Sequence, residues 1–300
     1  MNFHFENDQR VVNLFFISNP ISESIVKLII LSFKLNLTQV LIIPLRGYKP
    51  LFFSDQIELR ASKFDRLLQK FGQKPLTRRV INLLNIIDKK FHIFCTWNYK
   101  ESAFTPSIEE LLKHKKCKGH FYIEEGQISY KKNYSSSTFE QSQDKTFWFR
   151  DDALGYFGIN DAVFPNQKKT MVCIFSIELL KKFYIPKTLG VNNIGVTCAE
   201  RHVNRNGPQG MIENIVSILP NNSQIKIHPS FYFNESSVKE LQSSLELCNC
   251  KSGKEITFCD STVIIELEML FEQKKLYGPQ SSLKKYSEML NSKYIELELY

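Results

Sequence analysis

The sequence predicts an α/β protein made of two parallel-sheet domains. Three observations carry that expectation. Short apolar runs rich in β-branched residues recur, as buried parallel strands require. Each is followed at close range by a helical pattern, the βαβ signature. The same alternation stands on both sides of a compositional break at residues 181–193, where Pro186 and Gly190 interrupt the apolar order. The boundary is therefore placed there, giving domains 1–188 and 189–300. No internal repeat or heptad array appears.

Residues 11–18, with Val11-Val12 and Phe15-Phe16, read as the first strand, and Asn19-Pro20 breaks it. Ser22 or Ser24 can cap a helix carrying Ile25, Leu28, Ile29 and Phe33. Residues 39–44 form the second strand. Helices follow over 55–71 and 76–90, separated by Gly72 and Pro75. Residues 91–96 are a strand, and Ser107 caps a short helix. Residues 119–123 form the next strand, ending in Glu124-Glu125-Gly126. The Ser-rich stretch 130–145 reads as an exposed loop, and the aromatic, turn-rich stretch 147–164 either lines a cleft or, as buried aromatics more often do, belongs to the core.

In the second half, strands are expected at 194–198, 225–228 and 256–259, and helices at 211–219, 238–245 and 263–271. The segment 282–300 reads as an amphipathic helix packing back on the first domain.

Composition narrows the function. A hydrophobic fraction of 43% with 23% charged residues describes a globular chain with ample core. The net charge of +8 is scattered in doublets such as Arg78-Arg79, Lys115-Lys116 and Lys181-Lys182. Scattered doublets suit anionic substrates or the peripheral surface of an anionic inner membrane, and form no nucleic-acid stripe. The apolar run 25–33 is interrupted by Lys27 and too short to span a bilayer. No secretory leader is visible in the polar start. The seven cysteines have no framework spacing, and Cys248-Asn249-Cys250 lacks a second pair, so a zinc site is not expected. A reducing, cytoplasmic home follows.

Two C-terminal pieces carry chemistry. In Ile225-Lys226-Ile227-His228-Pro229, the proline forces His228 into an extended conformation at the carboxyl end of a strand. Ligands of open α/β sheets bind at that edge. In Cys259-Asp260-Ser261-Thr262, two hydroxyl residues lead from a strand into a helix, a start that takes phosphate readily. In the first half, Glu124 and Glu125 follow a strand, so one can aim into a cleft while the other anchors. Gly126 lets the chain turn without a Cβ.

The ordered trio of Glu-Glu-Gly, Lys-Ile-His-Pro and Ser-Thr resembles the bacterial sialyltransferases, including the polysialyltransferases and the lipooligosaccharide and capsule enzymes. The resemblance spans residues 124–262, and its third motif is Ser-Thr where Ser-Ser is commoner. It implies a GT-B architecture, two Rossmann-like domains facing a cleft, and inverting, metal-independent transfer from CMP-sialic acid to a glycan hydroxyl. It assigns the general base to Glu124, with Glu125 as the alternative. It makes His228 the partner of the departing phosphate, and Ser261 and Thr262 its holders. Gly126, Lys226 and Pro229 complete the binding motifs, and Glu246 is a candidate for the donor ribose. No cofactor or metal is implied, and the chain contains no Asp-x-Asp clamp. Teichoic-acid and capsule transferases with CMP- or CDP-linked donors share the last two motifs. A non-catalytic module binding anionic glycan is the remaining class.

Overall fold

The computed structural model describes residues 10–130, 149–200, 203, 207–279, 281 and 283–297; the side chains of 127, 128 and 233 are not described. The chain divides into two compact units, 1–183 and 184–300. The first nine residues and most of the Ser-rich stretch, together with Trp148, lie outside the described residues.

The first unit is a six-stranded parallel sheet. Its strands are β1 (Val11–Ile17), β2 (Val40–Pro44), β3 (Lys90–Cys95), β4 (Cys117–Ile123), β5 (Gly155–Gly158) and β6 (Val172–Ile174). They lie in the order β2-β1-β3-β4-β5-β6. Its helices are α1 (Pro20–Phe33), α2 (Lys63–Lys70), α3 (Pro75–Ile87), α4 (Ile108–Leu112) and α5 (Ile177–Leu180).

Phenylalanines set the register of this sheet. Phe15 of β1 stacks on Phe94 of β3 with ring centroids 4.4 Å apart, and Phe94 on Phe121 of β4 at 4.7 Å. These are register partners, Phe15 with Phe94 and Phe94 with Phe121. Phe157 of β5 and Phe175 continue the row. Each aromatic pair contributes about 0.5–1.5 kcal/mol beyond the area it buries. A slip of one residue would turn every ring to the opposite face. Phe149, Tyr156, Phe157 and Phe164 are all buried, so of the two readings of the aromatic stretch the described residues follow the core one.

The caps differ in detail from expectation. Asn19, not Ser22 or Ser24, is the N-cap of α1, in a capping box with Ser22, and Pro20 opens the helix. Ser62 and Asp65 form a second capping box, which starts α2 eight residues later than expected.

The second unit carries β7 (Asn193–Val196), β8 (Gln224–Lys226), β9 (Thr257–Phe258), β10 (Lys275–Gly278) and β11 (Lys293–Glu296). All are parallel, in the order β11-β10-β7-β8-β9, the Rossmann arrangement of a central first strand. Helices α6 (Gly207–Ile218), α7 (Glu235–Ser252), α8 (Ile265–Phe271) and α9 (Leu283–Met289) connect them. Ile212, Ile215, Phe231, Leu241 and Leu245 form the heart of its core against Ile225 and Ile227. The final segment corrects an expectation. Its helix spans only α9, and 293–296 become strand β11, paired with β10 in the second unit's own sheet. Tyr294 and Ile295 supply the β-branched and aromatic character of that strand.

All seven cysteines are free thiols. Cys248 and Cys250 lie two apart on α7, one buried and one exposed, so they face opposite ways and cannot share an ion or a bridge. Among the described residues no helix is long and apolar enough to cross a membrane.

Candidate functional site

Every predicted motif except Glu246 lies at the carboxyl edge of its own sheet. In the first unit, Glu124-Glu125-Gly126 follows β4 directly. The sheet order reverses between β1 and β3, and α1 begins at that switch point. The Asn19 amide donates to the Glu125 carbonyl at 2.5 Å, tying the acidic turn to the start of α1. Gly126 has φ of 140°, a conformation a side chain rarely adopts, and the chain turns there.

The two carboxylates have separate surroundings. Glu124 is wholly buried. One of its oxygens accepts from the Tyr130 hydroxyl and the other from the Ile159 N–H at 2.8 Å. Gly158 lies so close that a Cβ there would meet Glu124 Oε2 at 2.9 Å. Glu124 thus joins the end of β4 to the residue after β5. Glu125 is only half-buried. Its N–H donates to Ser129 Oγ at 3.0 Å.

In the second unit, His228 follows β8 and caps the short 3-10 turn Pro229–Phe233. Its N–H donates to Thr197 Oγ1 at 2.7 Å, and Thr197 stands at the end of β7 beside the second switch point. His228 Nδ1 accepts from the Ser230 N–H at 3.2 Å and lies 3.0 Å from Ser230 Oγ. The Glu200 N–H donates to that same Oγ at 2.9 Å. A nitrogen that accepts cannot carry the proton, so neutral His228 holds it on Nε2. Pro229 is exposed. It opens the turn, and its side chain carries no polar group.

The Ser-Thr piece departs from its expected form. Residues 261 and 262 lie in a turn, and α8 begins only at Ile265, with Ile264 as an N-cap that makes no side-chain bond. The cause is Asp260. Its carboxylate accepts from both the Thr262 N–H at 2.8 Å and the Thr262 hydroxyl at 2.6 Å. Those bonds, followed by Lys187, hold the Asp260 carboxyl down at about 2. The turn is fastened to the sheet by Lys226, which is 7% exposed and donates to the carbonyls of Asp260 at 3.3 Å and Ser261 at 2.8 Å. Burial lowers the Lys226 ammonium from its usual range. β8 and β9 are register neighbours, with Ile225 opposite Phe258, so His228 and the 260–262 turn both follow the carboxyl ends of adjacent strands. Glu246 does not join them. It lies on the exposed side of α7, twelfth from the sheet-edge start of that helix, about 16 Å along its axis.

Sequence reasoning missed Thr197, Ser230 and Lys187. A hydroxyl two residues after an imidazole cap is a legible signal for Ser230. Lys187 was hidden in the stretch read as a boundary. Its backbone N–H donates to Glu268 at 2.9 Å. Glu268 is 1% exposed and also receives the Tyr184 hydroxyl at 2.6 Å, the Thr188 N–H at 3.0 Å and the Thr188 hydroxyl at 2.7 Å. The Lys187 ammonium bonds the Thr262 hydroxyl and lies 3.2 Å from Asp260. Among the described residues no group of three or more His, Cys, Asp or Glu is placed to hold a metal ion.

Two parallel-sheet units with Rossmann-like layout place the chain in the GT-B class of fold. A putative UDP-N-acetylglucosamine 2-epimerase from Listeria monocytogenes is similar over 96% of this chain and 79% of its own, with a TM-score of 0.51 and 11% identity. The UDP-GlcNAc 2-epimerase of Neisseria meningitidis, bound to UDP-GlcNAc, matches at a TM-score of 0.49 and 11% identity, over 96% of this chain and 82% of that one. The E. coli heptosyltransferase WaaC with an ADP-heptose analogue matches at 0.40 and 8%, over 95% and 87%. The Listeria likeness, at 11% identity, describes fold alone. No family model and no curated protein matches the sequence.

Proposed function

We propose that this protein is an inverting glycosyltransferase that moves sialic acid from CMP-sialic acid to a hydroxyl of a bacterial surface glycan, galactose or sialic acid. The observation that supports it most is His228. It stands at the carboxyl edge of a Rossmann-like sheet, with its proton held on Nε2 by Ser230, and the Ser261-Thr262 turn follows the adjacent strand at the same edge. A nucleotide phosphate binds at such an edge.

In the proposed reaction the acceptor oxygen forms a bond to the anomeric carbon, and the bond from that carbon to the CMP phosphate oxygen breaks. The electron pair leaves with CMP, and the hydroxyl proton passes to a carboxylate. The sugar passes through an oxocarbenium-like state, as in glycoside hydrolysis. Charge growing on the phosphate is met by fixed donors. Glu125 takes the base role, because Glu124 is buried and already serves Tyr130 and Ile159. No metal or other cofactor is called for. Exposed basic doublets such as Arg78-Arg79 suit contact with an anionic membrane surface.

The test incubates the purified chain with CMP-sialic acid and a panel of galactosides and sialosides, with and without EDTA. Sialylated product and released CMP, unaffected by chelation, are expected. Transfer from a CDP-linked donor alone would move the reading to the capsule and teichoic-acid class. Binding of UDP-GlcNAc with none of CMP-sialic acid would sink it.

A further inference from the structure

Among the described residues three cations belong to the carboxyl edge of β8 and β9, or can become so: Lys226, Lys187 and, when protonated, His228. Lys226 is spent on two carbonyls and buried. His228 accepts at Nδ1 from the Ser230 N–H, which leaves Nε2 as the donor of the neutral ring. His228 therefore serves as a neutral donor through Nε2. Lys187 differs from both. Its side chain is 43% exposed, and its ammonium touches only the side chains of Thr262 and Asp260 among the bonds described above.

The backbone that carries Lys187 is firmly set. Glu268 receives the Lys187 N–H, and the flanking Tyr184 and Thr188 bond the same carboxylate. Beyond it, buried Lys274 donates to the Thr188 carbonyl at 2.6 Å and the Val191 carbonyl at 3.1 Å. A cation on a fixed stem beside a hydroxyl and a backbone N–H is the donor set that phosphate oxygens take. Here that set is engaged by a carboxylate. Asp260 accepts from the Thr262 N–H, from its hydroxyl and from Lys187.

We infer that Lys187 is the cation that meets the phosphate of the nucleotide donor, and that Asp260 occupies the place of that phosphate until the nucleotide displaces it. Asp260 is 52% exposed, so its side chain has solvent into which to swing. A phosphate oxygen then takes over the Thr262 N–H, the Thr262 hydroxyl and the Lys187 ammonium. The inference rests on the nucleotide-sugar reading above, and it assigns the charge neutralisation to Lys187, leaving His228 as a neutral donor.

The experiment is calorimetric titration of CMP, UDP and ADP, with cytidine as the phosphate-free control, into wild type, Lys187→Met, Lys187→Arg and Asp260→Asn. For the nucleotide that wild type binds, Lys187→Met should weaken affinity about tenfold or more, the usual scale for a charged hydrogen bond. Lys187→Arg should restore most of it, and cytidine should be unaffected. Asp260→Asn removes the competing charge and should tighten the nucleotide several-fold. Equal nucleotide affinity in wild type and Lys187→Met overturns the inference and leaves the transferase reading standing. Weaker binding in Asp260→Asn overturns the displacement. Binding of UDP or ADP in place of CMP, with the Lys187 effect intact, overturns the choice of donor alone. Failure of wild type to bind any of the three overturns both.

Discussion

Glu124 and Glu125 are adjacent in sequence and separated in surroundings. Glu124 is fully buried against Tyr130 and Ile159, whereas Glu125 is half-buried with its backbone held by Asn19 and Ser129. Strand-like alternation sends one side chain inward and leaves the next at the edge. Substitution should separate the two. Glu124→Ala leaves the Ile159 N–H without its acceptor and should lower stability by about 1–3 kcal/mol. Glu125→Gln should keep the melting temperature and CMP affinity while kcat falls by about 10²–10⁴. Thermal melts beside initial rates decide it, and the reverse pattern would return the base role to Glu124.

His228 provides a second test. A neutral Nε2–H donor keeps its hydrogen as solution becomes alkaline, while an imidazolium does not. Turnover measured between about pH 7 and 9 should therefore stay level. His228→Gln, which retains a side-chain N–H, should keep more activity than His228→Ala. A rate that falls steadily over that range, with both variants equally inactive, would point to an acid in place of a donor.

The third prediction concerns acid stability. His120 on β4 is 2% exposed, and burial pulls its imidazole from the ordinary 6.5 down to about 4. Asp152, 4.0 Å away, opposes the shift only in part. A depressed folded value means that the unfolded chain binds the proton first. The stability tied to this group is thus complete above pH 6.5 and lost as pH falls toward about 4. The difference corresponds to about 3 kcal/mol. Urea midpoints across that range should drop for wild type and drop less for His120→Gln. Parallel curves would assign the acid sensitivity elsewhere.

Glu268 gathers four donors from Tyr184, Lys187 and Thr188 onto one buried carboxylate. Glu268→Ala leaves them all unpaired and should destabilise the second unit by about 3 kcal/mol or more. Glu268→Gln keeps an acceptor oxygen and should lose less. Hydrogen exchange at the amides of Lys187 and Thr188 reports the site directly, and unchanged protection in Glu268→Ala would contradict the role.

Legibility followed the length and patterning of each piece. β1 and β4 are seven residues long and rich in Val, Ile, Phe and Tyr, so their existence was plain. β5 spans four residues, two of them glycine, and β6 spans three, too few for any period to show. His228 was readable because a following proline fixes its backbone. The start of α8 was not, since Asp260 captures the Thr262 N–H and delays the helix. Lys187 was unreadable for a different reason. Its place is set by Glu268, eighty-one residues further on, and no local pattern announces a bond of that span.

The distribution of the seven thiols bears on how the molecule can be observed. Burial raises the thiols of Cys95, Cys117, Cys173, Cys198, Cys248 and Cys259, the last to about 12, whereas Cys250 is the exposed one. Maleimides and nitroxide reagents attack thiolates that solvent reaches. They should mark Cys250 first, on the outer face of α7, without any cysteine being removed by mutation. The native chain therefore carries its own attachment point for a fluorophore or spin label, on the same helix connection that leads from His228 to the 260–262 turn.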